Sequence, residues 1–504
     1  MADSSHPGLM RLANSVLQPG FVGTTAPTWL LRRIGEGLGS VVLFGRNIET
    51  PEQVAALTAQ LRAENPGLIV AIDEEAGDVT RLEARNGSSW PGNLALGAVD
   101  DIDLTEQVAR DIGHALREAG VTLNYAPSAD VNSNPMNPVI GVRSFGPRTE
   151  VVSRHTAAWI RGLQSAGVAA CAKHFPGHGD TNVDSHHGLP QARADASAIA
   201  RTALPPFIAA MDAGVRTVMT AHMLTPAYDG ELPATLSQKI INDLLRDELG
   251  FTGLVVTDGI EMGAVSDRYG IAGATVKALA GGCDAVCVGG ESAEESTTVE
   301  LTEAIVRAVL DGTVPEERLA EAASRVQEFA DWSGKLARDA APDGRSADIG
   351  LVAARRAVTV HRNGDASAEF PLVADAHVVE LSPVTNLAID GSTPWGVAGP
   401  LRALRPGTTS VRIGESELRG ERDLLDRAAL APAAGRPLVV VVRDASRNRW
   451  MSQALAGLVR HRPDALVVEM GVPGGERPGA VHMTTHGATR VSGIAAAELL
   501  VGAG

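Results

Sequence analysis

The chain has 504 residues, 44% hydrophobic and only 3% aromatic, so large cores are available and must be built from Ala, Val, Leu and Ile. At roughly 150 residues per domain this length suggests two to four domains, and an α/β barrel of about 250 residues or more makes two equally reasonable. A formal net charge of −16 repels nucleic-acid backbones and anionic membranes, so neither is expected as a partner. Three cysteines, Cys171, Cys283 and Cys287, lie in or beside apolar runs, which argues for buried reduced thiols and against a disulfide framework. The N-terminal MADSSHPGLMRLANSVLQPG lacks a basic stretch followed by an apolar one. The apolar run at 438–442 is too short to span a bilayer. The expectation is a cytoplasmic protein without membrane insertion.

In chain order, short apolar runs recur: VVLF at 41–44, LIVAI at 68–72, VTLNY at 121–125, AACA at 169–172, TVMT at 217–220, LVVT at 254–257 and AVCV at 285–288. Each is bounded by Gly or polar residues, the signature of buried parallel strands. The segments between them read as helices. One start is explicit: Thr50 offers an N-cap, Pro51 the first helical position and Gln53 a capping box, with Ala55, Leu57 and Leu61 following at helical spacing. Strand–helix alternation of this kind predicts a (β/α)8-like TIM barrel. Seven strands are legible; the eighth is either a weak N-terminal strand or absent from an irregular barrel, and a doubly wound open sheet is the structural alternative.

The pattern breaks at GKLARDAAPDGRSADIG, 334–350. The expected division is a catalytic barrel over 1–335, a linker over 336–350 and a smaller α/β domain over 351–504. In that domain 438–442 and 465–469 read as buried strands and 492–501 as an Ala-rich helix. Its GVPGG at 471–475 lacks the GK[ST] of a phosphate loop.

In a barrel the active site lies at the carboxyl ends of the strands. Here the runs end one after another in polar residues: Asp73-Glu74-Glu75 after Ile72, Asp130 and then Arg143 after Tyr125, Lys173-His174 after Ala172, His222 after Thr220, and Asp258 after Thr257. Carboxylates accept from paired hydroxyls while Lys and Arg donate, so this set suits a sugar. Asp258, rigidly placed at a strand end, fits the nucleophile of a retaining glycosidase; an N-cap for the next helix is the plain alternative. Asp184, two residues before His186, can bond one imidazole nitrogen and fix its tautomer, as in a catalytic triad. Gly177, Gly179 and Gly188 would let that loop bend and move. His174, His178, His186, His187 and His222 raise a metallohydrolase reading, against which stands the lack of HxH and HExxH.

At these residues the chain resembles glycoside hydrolase family 3, in its bacterial β-N-acetylglucosaminidase branch. KHFPGHGDTNVDSHHGLP at 173–190 carries most of the resemblance. PGFVGT (19–24), VLFGRNI (42–48), IDEEAGDVTRL (72–82), NPVIGVRSFG (137–146), MTAHM (219–223), ATLS (234–237) and TDGIEMGAV (257–265) support it. It covers about 16–335 well and the rest more weakly. The resemblance implies Asp258 as nucleophile, His186 as acid/base and Asp184 as its dyad partner. It implies Asp73, Arg81, Arg143, Lys173 and His174 as ligands of the sugar in the −1 subsite. It further implies a (β/α)8-like barrel followed by an αβα sandwich, a small carbohydrate substrate, and no metal or organic cofactor. The expected function is retaining hydrolysis of terminal β-linked N-acetylglucosamine, in peptidoglycan recycling. A phosphorylase using phosphate as acceptor, a metal-dependent barrel hydrolase and a catalytically silent sugar-binding protein stay open. The family pattern Asp-Gln-Glu-Gly-Gly-Arg reads here Asp73-Glu74-Glu75-Ala76-Gly77-Asp78, so a Gly has become Ala76 and a basic position Asp78.

Overall fold

The computed structural model describes residues 6–186, 188–342, 344–363, 369–384, 388–421 and 423–503. The chain divides into two compact units. One comprises Met1–Glu75, Ile102–Ile140 and Gly146–Ser346; the other comprises Ala76–Asp101, Gly141–Phe145 and Ala347–Gly504.

The first unit is built on β1 (Leu17–Pro19), β2 (Ser40–Leu43), β3 (Ile69–Ile72), β4 (Leu123–Asn124), β5 (Ala169–Phe175), β6 (Thr217–Thr220), β7 (Leu254–Thr257) and β8 (Val286–Val288). Strands β2 to β7 pair in parallel in chain order, and β8 pairs in parallel with β1. A parallel bridge between Val256 and Ala285 joins the β7 and β8 edges. At the remaining seam β1 lies beside β2, where Gln18 Nε2 donates to Ser40 Oγ at 3.3 Å. The ring of eight strands closes as a TIM-like barrel, not an open sheet. The strand that the sequence concealed is β1, whose Leu-Gln-Pro has neither β-branching nor an apolar run; neighbours on both sides hold it in place.

Both faces of these strands are buried, which is why they read as continuous apolar runs. The inward face is the alternate set Ile69, Ala71, Leu123, Tyr125, Ala169, Cys171, Met219, Leu254, Val256, Ala285 and Cys287, joined by Val326 and Phe329 of the helix Glu316–Asp339. The three cysteines are buried and unpaired, and burial pushes their thiols up, that of Cys283 to about 12. Helix Pro51–Glu64 starts as expected: Thr50 Oγ1 accepts from the Gln53 amide at 3.2 Å. The Gln53 side chain, however, accepts from the Glu49 amide at 2.8 Å, one residue before the cap. Its buried face uses Val54, Leu57, Thr58 and Leu61, and Ala55 is only partly buried.

The second unit holds β9 (Thr359–Arg362), β10 (His377–Ser382), β11 (Thr409–Gly414), β12 (Leu438–Val442), β13 (Leu466–Glu469) and β14 (Val481–Thr484). Their order in the sheet is β9-β14-β13-β12-β10-β11, parallel throughout except for β9 against β14. Val439, Val441 and Val468 pack on Ala496, Ala497 and Leu500 of helix Arg490–Leu500. Val440, Val442 and Val467 pack on Met451, Leu455 and Leu458 of helix Arg449–His461. Successive strand residues thus serve opposite faces, and helices cover both. Among the described residues no helix is long and apolar enough to cross a membrane.

Residues 76–101 and 141–145 interrupt the barrel in sequence but pack in this second unit. Glycine permits part of that packing: a Cβ on Gly350 would lie 1.9 Å from the Ser89 carbonyl oxygen. The two family departures also fall in this unit, and the structure accounts for one of them. Ala76 has φ +60°, the left-handed region that favours glycine, and an alanine there costs about 1 kcal/mol. Asp78 is buried and ion-paired to Arg443 at the end of β12, and its Oδ1 accepts from the Ala488 amide at 2.9 Å. The acidic residue in a basic position has its own cation. Because removing one member of a buried pair leaves the other charge uncompensated, Asp78→Ala should destabilise the second unit by about 3–5 kcal/mol. The checking measurement is urea unfolding followed by circular dichroism, in which an unchanged midpoint would refute the pairing.

Candidate active site

The alternation that builds the core also places the reactive groups. Along β3, Ile69 and Ala71 face inward, and the next position on that face is Asp73. Along β5, Ala169 and Cys171 lead to Lys173; along β7, Leu254 and Val256 lead to Asp258. Three expected residues are therefore the last inward positions of their strands, at the mouth of the barrel.

Lys173 is buried, and its ammonium is paired with Asp73 and, at 2.6 Å, with Glu75. A buried cation is tolerated only when paired in this way. Glu75, two residues beyond Asp73, is a partner that no local pattern in the sequence assigns to Lys173. The Glu74 amide donates to Asn124 Oδ1 at 2.9 Å. The Lys173–His174 peptide is cis. His174 turns its Nδ1 to Asp130 Oδ2 at 2.7 Å.

Asp258 is partly buried, and its Oδ1 accepts from the Gly259 amide at 2.8 Å. Burial pushes its carboxyl up, but the fields of His174, His222 and His186 and the Gly259 amide outweigh that and hold it at about 2. The carboxylate is therefore ionised at neutral pH.

His222 is buried with both ring nitrogens engaged: Nδ1 lies 2.8 Å from Thr235 Oγ1 and Nε2 2.9 Å from the Gly259 carbonyl oxygen. Burial lowers its pKa, so the ring is neutral. A carbonyl oxygen only accepts, so Nε2 carries the hydrogen and the Thr235 hydroxyl donates to Nδ1. This neutral ring orients the backbone beside Asp258 and has no proton to give. His178 is also buried and neutral, burial pulling it down to about 4.

Asp184 and His186 meet as expected. Asp184 Oδ1 accepts from His186 Nδ1 at 2.6 Å and from the His186 amide at 3.0 Å. The carboxylate requires the hydrogen on Nδ1, which leaves Nε2 for proton transfer. The ring stands close enough to Asp258 for its field to be felt there. The loop is tied down beyond the nucleophile, since the Ala264 amide at the start of helix Gly263–Gly281 donates to the Ser185 carbonyl at 3.2 Å.

Two of the three loop glycines are also held by packing. A Cβ on Gly179 would sit 1.8 Å from the Val131 carbonyl oxygen, so this glycine is required by close packing of the loop root on the β4 segment. Gly177 has φ +122° and a Cβ there would meet Ala203 at 2.8 Å. Only Gly188 lacks such a constraint: a Cβ would meet nothing closer than Val183 at 3.4 Å.

Arg81 and Arg143 belong to the second unit. There Arg81 Nη1 donates to the Ala388 carbonyl at 3.1 Å, and Arg143 is buried with its carbonyl accepting from Asn93 Nδ2 at 2.7 Å. His187 lies outside the described residues. The other four mouth histidines are engaged one by one with Asp130, Thr181, Asp184 and Thr235. Among the described residues no three His, Cys, Asp or Glu side chains converge as a metal site would. The ensemble offers an ionised carboxylate, an imidazole backed by an aspartate, and a paired Lys173–Asp73 edge that can exchange hydrogen bonds with hydroxyls.

The chain is similar to known proteins of one family. The family description "Glycosyl hydrolase family 3 N terminal domain" matches residues 31–329. The chain is 40% identical over 286 residues to Beta-hexosaminidase A of Pseudoalteromonas piscicida, covering 52% of this chain and 47% of that protein, so it spans about half of that relative's length. It is 36% identical over 271 residues to the Beta-hexosaminidase of Nitrosomonas eutropha, covering 52% of this chain and 77% of that one. Among solved structures, a glycoside hydrolase family 3 beta-N-acetylglucosaminidase from Paenibacillus sp. str. FPU-7 superposes with a TM-score of 0.84 at 32% identity, over 98% of this chain and 97% of that one. With the family description matching more than half of its length, the chain belongs to glycosyl hydrolase family 3.

Proposed function

We propose that this protein is a retaining β-N-acetylglucosaminidase that removes terminal, non-reducing β-linked N-acetylglucosamine. The observation that carries the reading is the pairing of an ionised Asp258 with a His186 whose Nδ1 is held by Asp184. The names of the relatives, a beta-N-acetylglucosaminidase and two beta-hexosaminidases, support the choice of sugar.

The reaction takes two steps. Asp258 attacks the anomeric carbon while His186, protonated at Nε2, gives that proton to the leaving oxygen, and a glycosyl–Asp258 ester forms. His186 then takes a proton from water, which displaces Asp258. Asp184 stabilises the imidazolium each time it forms. Asp73, Lys173 and His174 are read as ligands of the sugar. The substrates proposed are the N-acetylglucosaminides of peptidoglycan recycling, handled in the cytoplasm.

The two catalytic groups are separable by leaving group. Asp258→Ala should lower turnover of every β-N-acetylglucosaminide by about four or more orders of magnitude. His186→Ala should lose about 10²–10⁴-fold on a poor leaving group such as a second sugar, and far less on a nitrophenyl glycoside that departs without protonation. Equal loss on both substrates rules out His186 as the acid. Assayed with and without phosphate, the product should be free N-acetylglucosamine; sugar 1-phosphate would assign the chain to phosphorolysis instead.

The pH profile separates them too. The folded Asp258 value of about 2 lies below the ordinary 3.8, so the ionised form, and the stability it contributes, is fully present above about 4 and is lost as pH falls through about 2. The acid limb of kcat/KM should therefore not come from Asp258. The alkaline limb should come from His186 and disappear in His186→Ala assayed on the nitrophenyl glycoside; a limb that persists in that variant assigns it to another group.

A further inference from the structure

Asp130 is a fully buried carboxylate at the barrel mouth with no part in the chemistry above. It follows β4 on a segment that runs along the end of β5, with the Ala129 amide donating to the Lys173 carbonyl at 2.6 Å. Its two oxygens collect donors from separate parts of the site. Oδ2 accepts from His174 Nδ1 at 2.7 Å and from Ser128 Oγ at 2.9 Å. Oδ1 accepts from the His178 amide at 2.6 Å and from the His174 amide at 3.3 Å.

These donors differ in kind. His174 stands on the strand end and, of the surrounding rings, acts most strongly on Asp258. His178 opens the loop that leads to Asp184 and His186. That loop root has no slack: Gly179 packs against the Val131 carbonyl, and Asn137 Nδ2 donates to the His178 carbonyl at 2.9 Å. Burial pushes the Asp130 carboxyl up, but His174, His178 and the His178 amide more than reverse this, so it is a carboxylate in the folded protein. A carboxylate cannot donate, so the hydrogen between Asp130 and His174 belongs to Nδ1, and Nε2 is left for the ligand.

We propose that Asp130 is a positioning residue for this active site, fixing His174 as the Nδ1–H ring and clamping the root of the proton-donating loop to the same carboxylate. Sugar binding and proton delivery are then registered to one buried group and cannot drift independently. The proposal rests on the reading of His174 as a sugar ligand.

Asp130→Asn tests it, because the amide oxygen can keep the backbone bonds at the loop root while its NH₂ cannot accept from His174 Nδ1. Kinetics are measured for D130N, H174A and the double variant on two aryl β-N-acetylglucosaminides, one with a good and one with a poor leaving group. D130N should lower kcat/KM about 10- to 100-fold, as loss of an orienting partner does, and by similar factors on both substrates because both need the sugar held. In the H174A background the same substitution should cost less than about 3-fold. A D130N loss that persists in full in that background, or no loss in D130N alone, overturns the positioning role while the sugar-ligand reading stands. An H174A variant as active as the parent overturns that reading and the proposal together. If D130N does not fold, the unaltered protein decides: with ¹⁵N-labelled histidine, the resonances missing from H174A should show a protonated Nδ1. An unprotonated Nδ1 overturns the proposal.

Discussion

A β-strand turns its side chains over at every second residue, and in a closed barrel one of the two faces has nowhere to go but the centre. The rest of the first unit depends on that constraint. It fills the interior with Ile69, Ala71, Ala169, Cys171, Leu254 and Val256, and it makes Asp73, Lys173 and Asp258 the next positions on the same three faces. The reactive groups are rigid because they continue a packed core, and they converge because the strands do.

Convergence has an electrostatic cost, and the mouth meets it by pairing. Lys173 sits between Asp73 and Glu75, Asp130 accepts from Ser128, His174 and His178, and Asp184 backs His186. The histidines divide into two kinds. Those held by carboxylates, His174 and His186, carry hydrogen on Nδ1 and keep Nε2 for other partners. Those held by hydroxyls, His178 and His222, are buried and neutral. Type alone does not separate these four residues; the atom opposite each Nδ1 does.

The second unit shows the same logic applied to a departure from the family. Asp78 in a basic position would be an unpaired buried anion if the rest of the chain were unchanged. Arg443, stacked at 5.6 Å from the Trp395 ring, supplies the opposite charge, so a substitution on one segment is matched 365 positions away in sequence. Ala76 has no such match and carries a left-handed backbone without a glycine.

Strands written as continuous apolar runs, the capped start of Pro51–Glu64, the family, and the residues at the strand ends are all legible in the sequence, because these depend on neighbours a few positions apart. The Asp184–His186 contact was legible for the same reason: two residues on one turn. The remainder is set by long-range packing. It made Leu17–Pro19 a strand, since that segment is held by partners at Ser40 and Val286 and not by its own propensity. It assigned 76–101 and 141–145 to the second unit, found Glu75 for Lys173 and Arg443 for Asp78, and turned Gly179 from a hinge into a packing requirement. Each of these is a contact between atoms far apart along the chain. Its geometry is set by barrel closure and burial, and no local pattern encodes it.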